Sequence, residues 1–143
     1  KVIMQYWELI DSLKDCALAE PNVNDFIAPD IYVLNSKPDI DYNVVAVTPN
    51  NFSIDEDTIT YSLNLYYITR WDESDVNQIE GQSVGITVLL NIINRFNTFY
   101  PEAQIEYPLN ATPFYEKFKD QTCGVFIRTD ITIDNDLGVC NGE

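Results

Sequence analysis

The sequence predicts an α+β domain over residues 1–143, a mainly antiparallel sheet flanked by an N-terminal helix and a long central helix. Three observations carry this. TITYSLNLYYITRW (58–71) and VFIRTDITI (125–133) alternate two sets of side chains with the strand period of two. Residues from about Asp75 to Asn97 instead repeat apolar side chains every three or four positions, as a helix does. These segments follow one another without an internal repeat, a linker or a break in composition, so a single domain is expected.

Along the chain, residues 2 to about 18 read as an amphipathic helix. Its apolar stripe is Ile3, Trp7 (or Tyr6), Ile10, Leu13 and Ala17, with Glu8, Asp11, Lys14 and Asp15 on the polar side. Pro21 ends it, because proline disfavours helix in the residue before it. The short apolar run Ile31–Leu34 is a weak strand signal between Pro29 and Pro38. NVVAVTP (43–49) is a better strand, expected to end at Pro49-Asn50-Asn51. The acidic turn SIDEDT follows, and then the strongest β signal in the chain. There Ile59, Tyr61, Leu63, Leu65 and Tyr67 form an apolar face. Thr60, Ser62, Asn64, Tyr66 and Ile68 form a mixed face that suits solvent or a neighbouring subunit.

WDESD supplies helix-start residues, with Ser74 or Asp75 as N-cap. The helix it opens is expected to carry one stripe of Val76, Ile79, Ser83, Ile86, Leu90, Ile93 and Asn97, widened by Leu89, Ile92 and Phe96, with a disturbance near Gly81 and Gly85. After Pro101 come a short strand, AQIEY (103–107), and a helical turn in NATPFYEKFKDQTCG with Phe114 and Phe118 inward, closed at Gly124. The last strand turns Val125, Ile127, Thr129, Ile131 and Ile133 inward, and DNDLGVCNGE is a polar tail.

Composition narrows the chemistry. The chain holds 23 acidic and 8 basic residues, a net charge of -15, and no histidine. Imidazole bases, histidine-ligated metals and Ser-His-Asp or Cys-His machinery are therefore excluded. Acidity of this degree disfavours nucleic acid and anionic membranes as partners, since phosphate binding needs clustered Lys and Arg. Cys16, Cys123 and Cys140 are odd in number and widely spaced, the pattern of reduced thiols; a Cys123–Cys140 bridge stays open. No segment reaches the ~18 apolar residues of a membrane span. The first sixteen residues lack a signal peptide's apolar run and cleavage site, and a start at Lys1 rather than Met is expected to reflect trimming or a first residue left out.

Motifs that suggest chemistry mostly dissolve on inspection. Gly81-Gln82-Ser83-Val84-Gly85 matches the G-x-S-x-G of a nucleophile elbow. That motif needs a strand before the serine and a histidine to take its proton, whereas here the flanks read as helix. A helix start or kink is the expectation. The acidic groups Asp55-Glu56-Asp57, Asp72-Glu73 with Asp75, and Asp134-Asn135-Asp136 suggest calcium. Only the last, with Gly138, imitates the start of an EF-hand loop, so solvated turns are expected. Asn51-Phe52-Ser53 and Asn110-Ala111-Thr112 fit glycosylation acceptors, the second disfavoured by Pro113. A hydrolase using two carboxylates carries no motif here. Neither cofactor nor metal is expected, and the chain reads as a binding protein rather than an enzyme.

The order of elements resembles the tail-terminator or tail-completion family of tailed bacteriophages, the small head–tail connector ring proteins. The resemblance lies in the N-terminal helix, the long strand YSLNLYYITRWD, the helix EGQSVGITVLLNIINRF after a short acidic connection, and the late FYEKFKDQTCGVFIRTDITI stretch. It implies a structural virion protein, assembled in the bacterial cytoplasm. Such a protein is one subunit of a six- or twelve-fold homo-oligomeric ring in the neck or tail. It would contact neighbouring neck, portal or tail proteins, and DNA would pass it without specific binding. On that reading Tyr66, Ile68, Arg70 and Trp71 are expected at the subunit interface, with Arg128 paired either to a neighbour or within the chain. Asp55, Glu56, Asp57, Asp72, Glu73 and Asp75 are expected in acidic loops facing the lumen or the next ring. A negative wall repels phosphate, which gives the acidity a purpose. The alternative is an acidic DNA mimic that occupies a host nucleic-acid-binding protein.

Overall fold

The computed structural model describes residues 4–28, 41–70, 75–115 and 122–134. Their elements in order are α1 (Tyr6–Leu18), β1 (Asp25–Ile27), β2 (Val44–Ile54), β3 (Thr58–Arg70), α2 (Asp75–Phe99), β4 (Gln104–Ile105), β5 (Ala111–Tyr115) and β6 (Thr122–Asp134). The fold is α+β, with an N-terminal and a central helix as expected. Ile3, the Ile31–Leu34 run, Ser74, Phe118 and the tail from Asn135, including Asp136, Gly138 and Cys140, lie outside the described residues.

The two alternating segments become the centre of the sheet. Strands β3 and β6 pair antiparallel over their whole length, from Thr58↔Asp134 to Arg70↔Thr122. β2 pairs antiparallel with β3 as the other arm of a hairpin, whose turn closes with the Asp55 N–H donating to the Thr58 carbonyl at 2.8 Å. Pro49 does not end β2. A register shift between Pro49 and Asn51 takes up the missing N–H, and pairing resumes to Ile54↔Ile59. The three-residue β1 adds in parallel to Val44–Ala46, and β4 and β5 both line the far side of β6. Residues 111–115 are therefore strand and not helical turn, and Gly124 sits within β6 rather than closing a helix. Thr112, Phe114 and Tyr115 suit an extended backbone, and Pro113 is tolerated because β5 is an edge strand.

Both helices cover one face. Val45, Val47, Tyr61, Leu63, Leu65, Tyr67, Val125, Ile127, Ile131 and Ile133 form a single buried cluster with Leu9, Leu13, Cys16 and Ala17 of α1 and Val88, Leu89, Ile92, Ile93 and Phe96 of α2. In α1 the expected stripe holds at Leu13 and Ala17, which are buried, and at Ile10 and Tyr6, which pack half-buried against the core. Leu9 and Cys16 join them, and Trp7 is instead 64% exposed. The Gln5 N–H donates to the Glu8 carboxylate at 3.0 Å, which satisfies one amide at the helix start.

The long helix runs continuously through Gly81 and Gly85 and does not start there. Those glycines, four residues apart, face the sheet at its closest approach. A Cβ on Gly85 would lie 2.6 Å from Val125 Cγ1 and 2.9 Å from Tyr67 Cδ2; on Gly81, 2.9 Å from Thr69 Cγ2. The helix thus turns Gly81, Gly85, Leu89, Ile92 and Phe96 inward. Of the expected main stripe Ile93 is buried, whereas Ile79, Ile86 and Leu90 are left outside, 63%, 44% and 45% exposed.

The second sheet face is polar around Thr60, Ser62 and Asn64, as expected, but not at its Tyr66–Ile68 end. Ile27, Val44, Ala46, Tyr66, Ile68 and Phe114 form a second buried cluster, with Tyr42 and Phe126 packed against it. Tyr66 stacks on Phe126 at 5.0 Å between centroids and meets Phe114 edge-on at 6.2 Å. Gly124 belongs to this arrangement: an added Cβ would fall 1.9 Å from the Tyr67 carbonyl oxygen, which no rotamer can relieve.

Candidate assembly surfaces

The expected interface residues do not share one exposed surface. Tyr66 and Ile68 are 8% and 0% exposed, covered within the chain by the second cluster. Outward projection of that end of β3 is corrected, because an apolar β1–β5 neighbourhood that the sequence does not announce surrounds it. Arg70 is exposed, its guanidinium 4.8 Å from the Tyr42 ring centroid. Trp71, Asp72 and Glu73 lie outside the described residues, and Asp75 opens α2. Arg128 finds its contacts inside the chain. Its Nε donates to Ser62 Oγ at 3.1 Å and lies 3.8 Å from Asp130 Oδ1, beyond hydrogen-bond reach. Asp55, Glu56 and Asp57 are exposed together at the hairpin turn.

Two apolar surfaces stand beside these, one not expected at all and one expected to face the core. The first lies just behind the acidic turn, where Phe52 is 45% and Ile54 74% exposed. Phe52 is steadied from below by Tyr6 and Tyr61, at centroid distances of 4.8 and 5.3 Å. Here β2 has lost β1, which pairs only with Val44–Ala46, so among the described residues its outer edge is open from Val47 to Ile54.

The second surface is the outer stripe of α2, Ile79, Ser83, Ile86 and Leu90, at helical spacing. No charged side chain occurs from Gly81 to Asn94, although Ser83, Val84, Ile86, Thr87, Leu90, Asn91 and Asn94 are exposed. The hairpin arms, 43–54 and 58–69, are equally free of charge. In a chain of net charge -15, exposed surface without carboxylates is a local exception, and contiguous exposed apolar surface commonly marks an interaction site. The signal was present in the sequence as a helix apolar on more than one side.

A cavity of about 540 Å³ between the helices is lined by Ser12, Asp15, Cys16, Ala19, Arg95, Phe99 and Tyr100. Its polar groups are largely committed to joining α1 to α2. The Ser12 hydroxyl donates to the Tyr100 hydroxyl at 3.2 Å, and Arg95 Nη1 donates to the Cys16 carbonyl at 2.9 Å. Burial pushes the Cys16 thiol up, with Asp15 adding and Arg95 opposing, so the thiolate that reactivity requires is disfavoured. Ser83 of the G-x-S-x-G sequence is exposed on the helix with its backbone carbonyl accepting from the Thr87 hydroxyl at 3.4 Å. That geometry is ordinary helix and not an elbow. Among the described residues no three acidic, cysteine or histidine side chains group to hold a metal, and no helix is long and apolar enough to cross a membrane. No protein-family model matches the chain, and comparison with curated proteins finds no match.

Proposed function

We propose that this chain is a structural subunit that assembles with copies of itself, in a ring of the kind found in the neck or tail of a tailed bacteriophage. One observation carries the self-assembly: the exposed outer stripe of α2, with Ile86 44% and Leu90 45% exposed in a run free of charge from Gly81 to Asn94, on a chain of net charge -15. Copies so acidic repel one another unless they meet through neutral surface. The order of helix, long hairpin, long helix and late strand supports the ring family, and the surplus of carboxylates suits a wall that DNA passes without sticking.

The DNA-mimic reading needs carboxylates laid over one face at phosphate-like spacing. Among the described residues the exposed acids are instead divided among α1 (Asp11, Asp15), the stretch before β2 (Asp41), the hairpin turn with the end of β6 beside it (Asp55, Glu56, Asp57, Asp134), α2 (Glu80) and the connection after it (Glu102, Glu106). Native mass spectrometry of the purified protein, followed by electron microscopy of any assembly, tests the proposal. Closed six- or twelve-membered rings are expected. A monomer that persists at high concentration, or capture of a basic nucleic-acid-binding protein in place of a second copy, overturns it.

A further inference from the structure

Resting on the self-assembly reading, we infer that the contact between copies is heterologous: the hairpin tip of one copy, through Phe52 and Ile54, seats on the outer α2 stripe of the next, through Ile79, Ile86 and Leu90. The two surfaces are different, and they stand apart on the domain. Ile54 pairs with Ile59 at one end of β3, whereas Gly85, next to Ile86, packs on Tyr67 towards the other. Eight strand residues separate those positions, roughly 27 Å at the strand rise. A two-fold contact needs one self-complementary patch, whereas a ring needs two complementary patches pointing apart. The described surface offers the second case.

Charge selects the pairing. Two tips facing each other would bring together Asp55, Glu56 and Asp57 from both copies, a like-charge cluster that costs free energy. A tip on a stripe sets the neutral segment 48–54 against Ile86 and Leu90 of the neutral segment 81–94, where it meets fewer carboxylates than at a second tip, with Glu80 adjoining Ile79 alone. It also covers both apolar surfaces with one kind of contact, while a stripe-to-stripe dimer would leave Phe52 and Ile54 in water.

Complementation between variants tests this directly. Ile54→Glu blocks the tip and leaves the stripe intact; Ile86→Glu blocks the stripe and leaves the tip intact. Native mass spectrometry should show wild-type multimers, and each variant alone monomeric with at least a tenfold loss of apparent affinity. An equimolar mixture should form one-to-one heterodimers and nothing larger, since each pair retains one good contact. If Ile54→Glu still assembles alone, or the mixture stays monomeric, the heterologous contact is wrong while self-assembly stands. A wild type that is monomeric throughout removes the parent reading as well. Should either variant fail to fold, Ile54→Cys and Ile86→Cys proteins treated together with a short bis-maleimide supply the second readout. A 54–86 cross-link is expected, and 54–54 or 86–86 products alone overturn the pairing.

Discussion

Arg95 of α2 grips Glu20, two residues beyond α1, with Nη1 2.8 Å from Oε2, although Glu20 is only 5% exposed. Asn91 Nδ2 donates to the other carboxylate oxygen at 3.0 Å, and the same Arg95 nitrogen donates to the Cys16 carbonyl. A carboxylate taken out of water is tolerated when its oxygens are satisfied in this way. The clamp ties the end of α1 to the middle of α2, and so holds both helices on one sheet face.

The two partners should not be equivalent to mutation. Arg95→Met leaves a buried carboxylate with only Asn91 and is expected to cost about 3 kcal/mol. Glu20→Gln leaves an arginine that is one-third exposed and can turn to water, for a loss of about 1 kcal/mol. Urea unfolding of both variants measures the difference, and equal losses would show that the pair acts through packing alone.

Gly85→Ala should destabilise the protein by about 1–2 kcal/mol. The overpacking cost against Val125 and Tyr67 exceeds the roughly 1 kcal/mol that alanine gains in helix propensity. Ser83→Ala, exposed between the two glycines, should stay within about 0.5 kcal/mol of wild type. A nucleophile elbow would give the opposite pattern, with any hydrolytic activity lost in Ser83→Ala. Thermal melts and an esterase assay on both variants separate the two.

Tyr66→Ala should lower monomer stability by about 3 kcal/mol, since it empties the stack between Phe126 and Phe114. Ile54→Ala should leave stability within about 0.5 kcal/mol, because that side chain is 74% exposed. Unfolding measured on dilute, unassembled protein distinguishes the intrachain role of Tyr66 from a role at an interface. A neutral Tyr66→Ala would contradict the second cluster.

Alkaline pH should unfold the chain earlier than charge repulsion alone would. Burial pushes the Tyr67 phenol up to about 12, with Cys123 adding and a hydrogen bond with Thr69 opposing. Burial raises Tyr6, Tyr61 and Cys16 as well. Each of these groups keeps its proton more firmly folded than unfolded. Above the unfolded values, ~9 for the thiol and ~10 for the phenols, the unfolded chain therefore binds fewer protons. Their contribution is fully present below about pH 9 and falls as pH rises through the folded values. Tyr67 alone supplies about 1.4 kcal/mol per pH unit between ~10 and 12. Denaturant unfolding at pH 8 to 11 should show this decline, and Tyr67→Phe should flatten it.

How far the sequence could be read depended on whether a signal was local. Alternation in 58–71 and 125–133 placed the inward faces of β3 and β6 correctly, from Tyr61 to Tyr67 and from Val125 to Ile133, because a strand's two faces differ at every step. Trp7 on α1 and the outer stripe of α2 show the opposite case. Apolar residues surround much of α2, so periodicity alone could not say which of Ile86 or Leu89 turns inward. β1 and β5 were missed for another reason. Three and five residues of strand form only because Val44–Ala46 and Cys123–Ile127 present open edges to them.

From the sequence alone came the α+β class, the absence of histidine and the identity of the two central strands, since these follow from composition and short-range periodicity. Tertiary structure decided the rest. Gly81 and Gly85, which carry no apolar side chain, determine the buried side of α2 because they permit the closest approach to Tyr67 and Thr69. That choice leaves Ile79, Ile86 and Leu90 in water. Closest approach is a property of two surfaces together, and no pattern in one helix contains it.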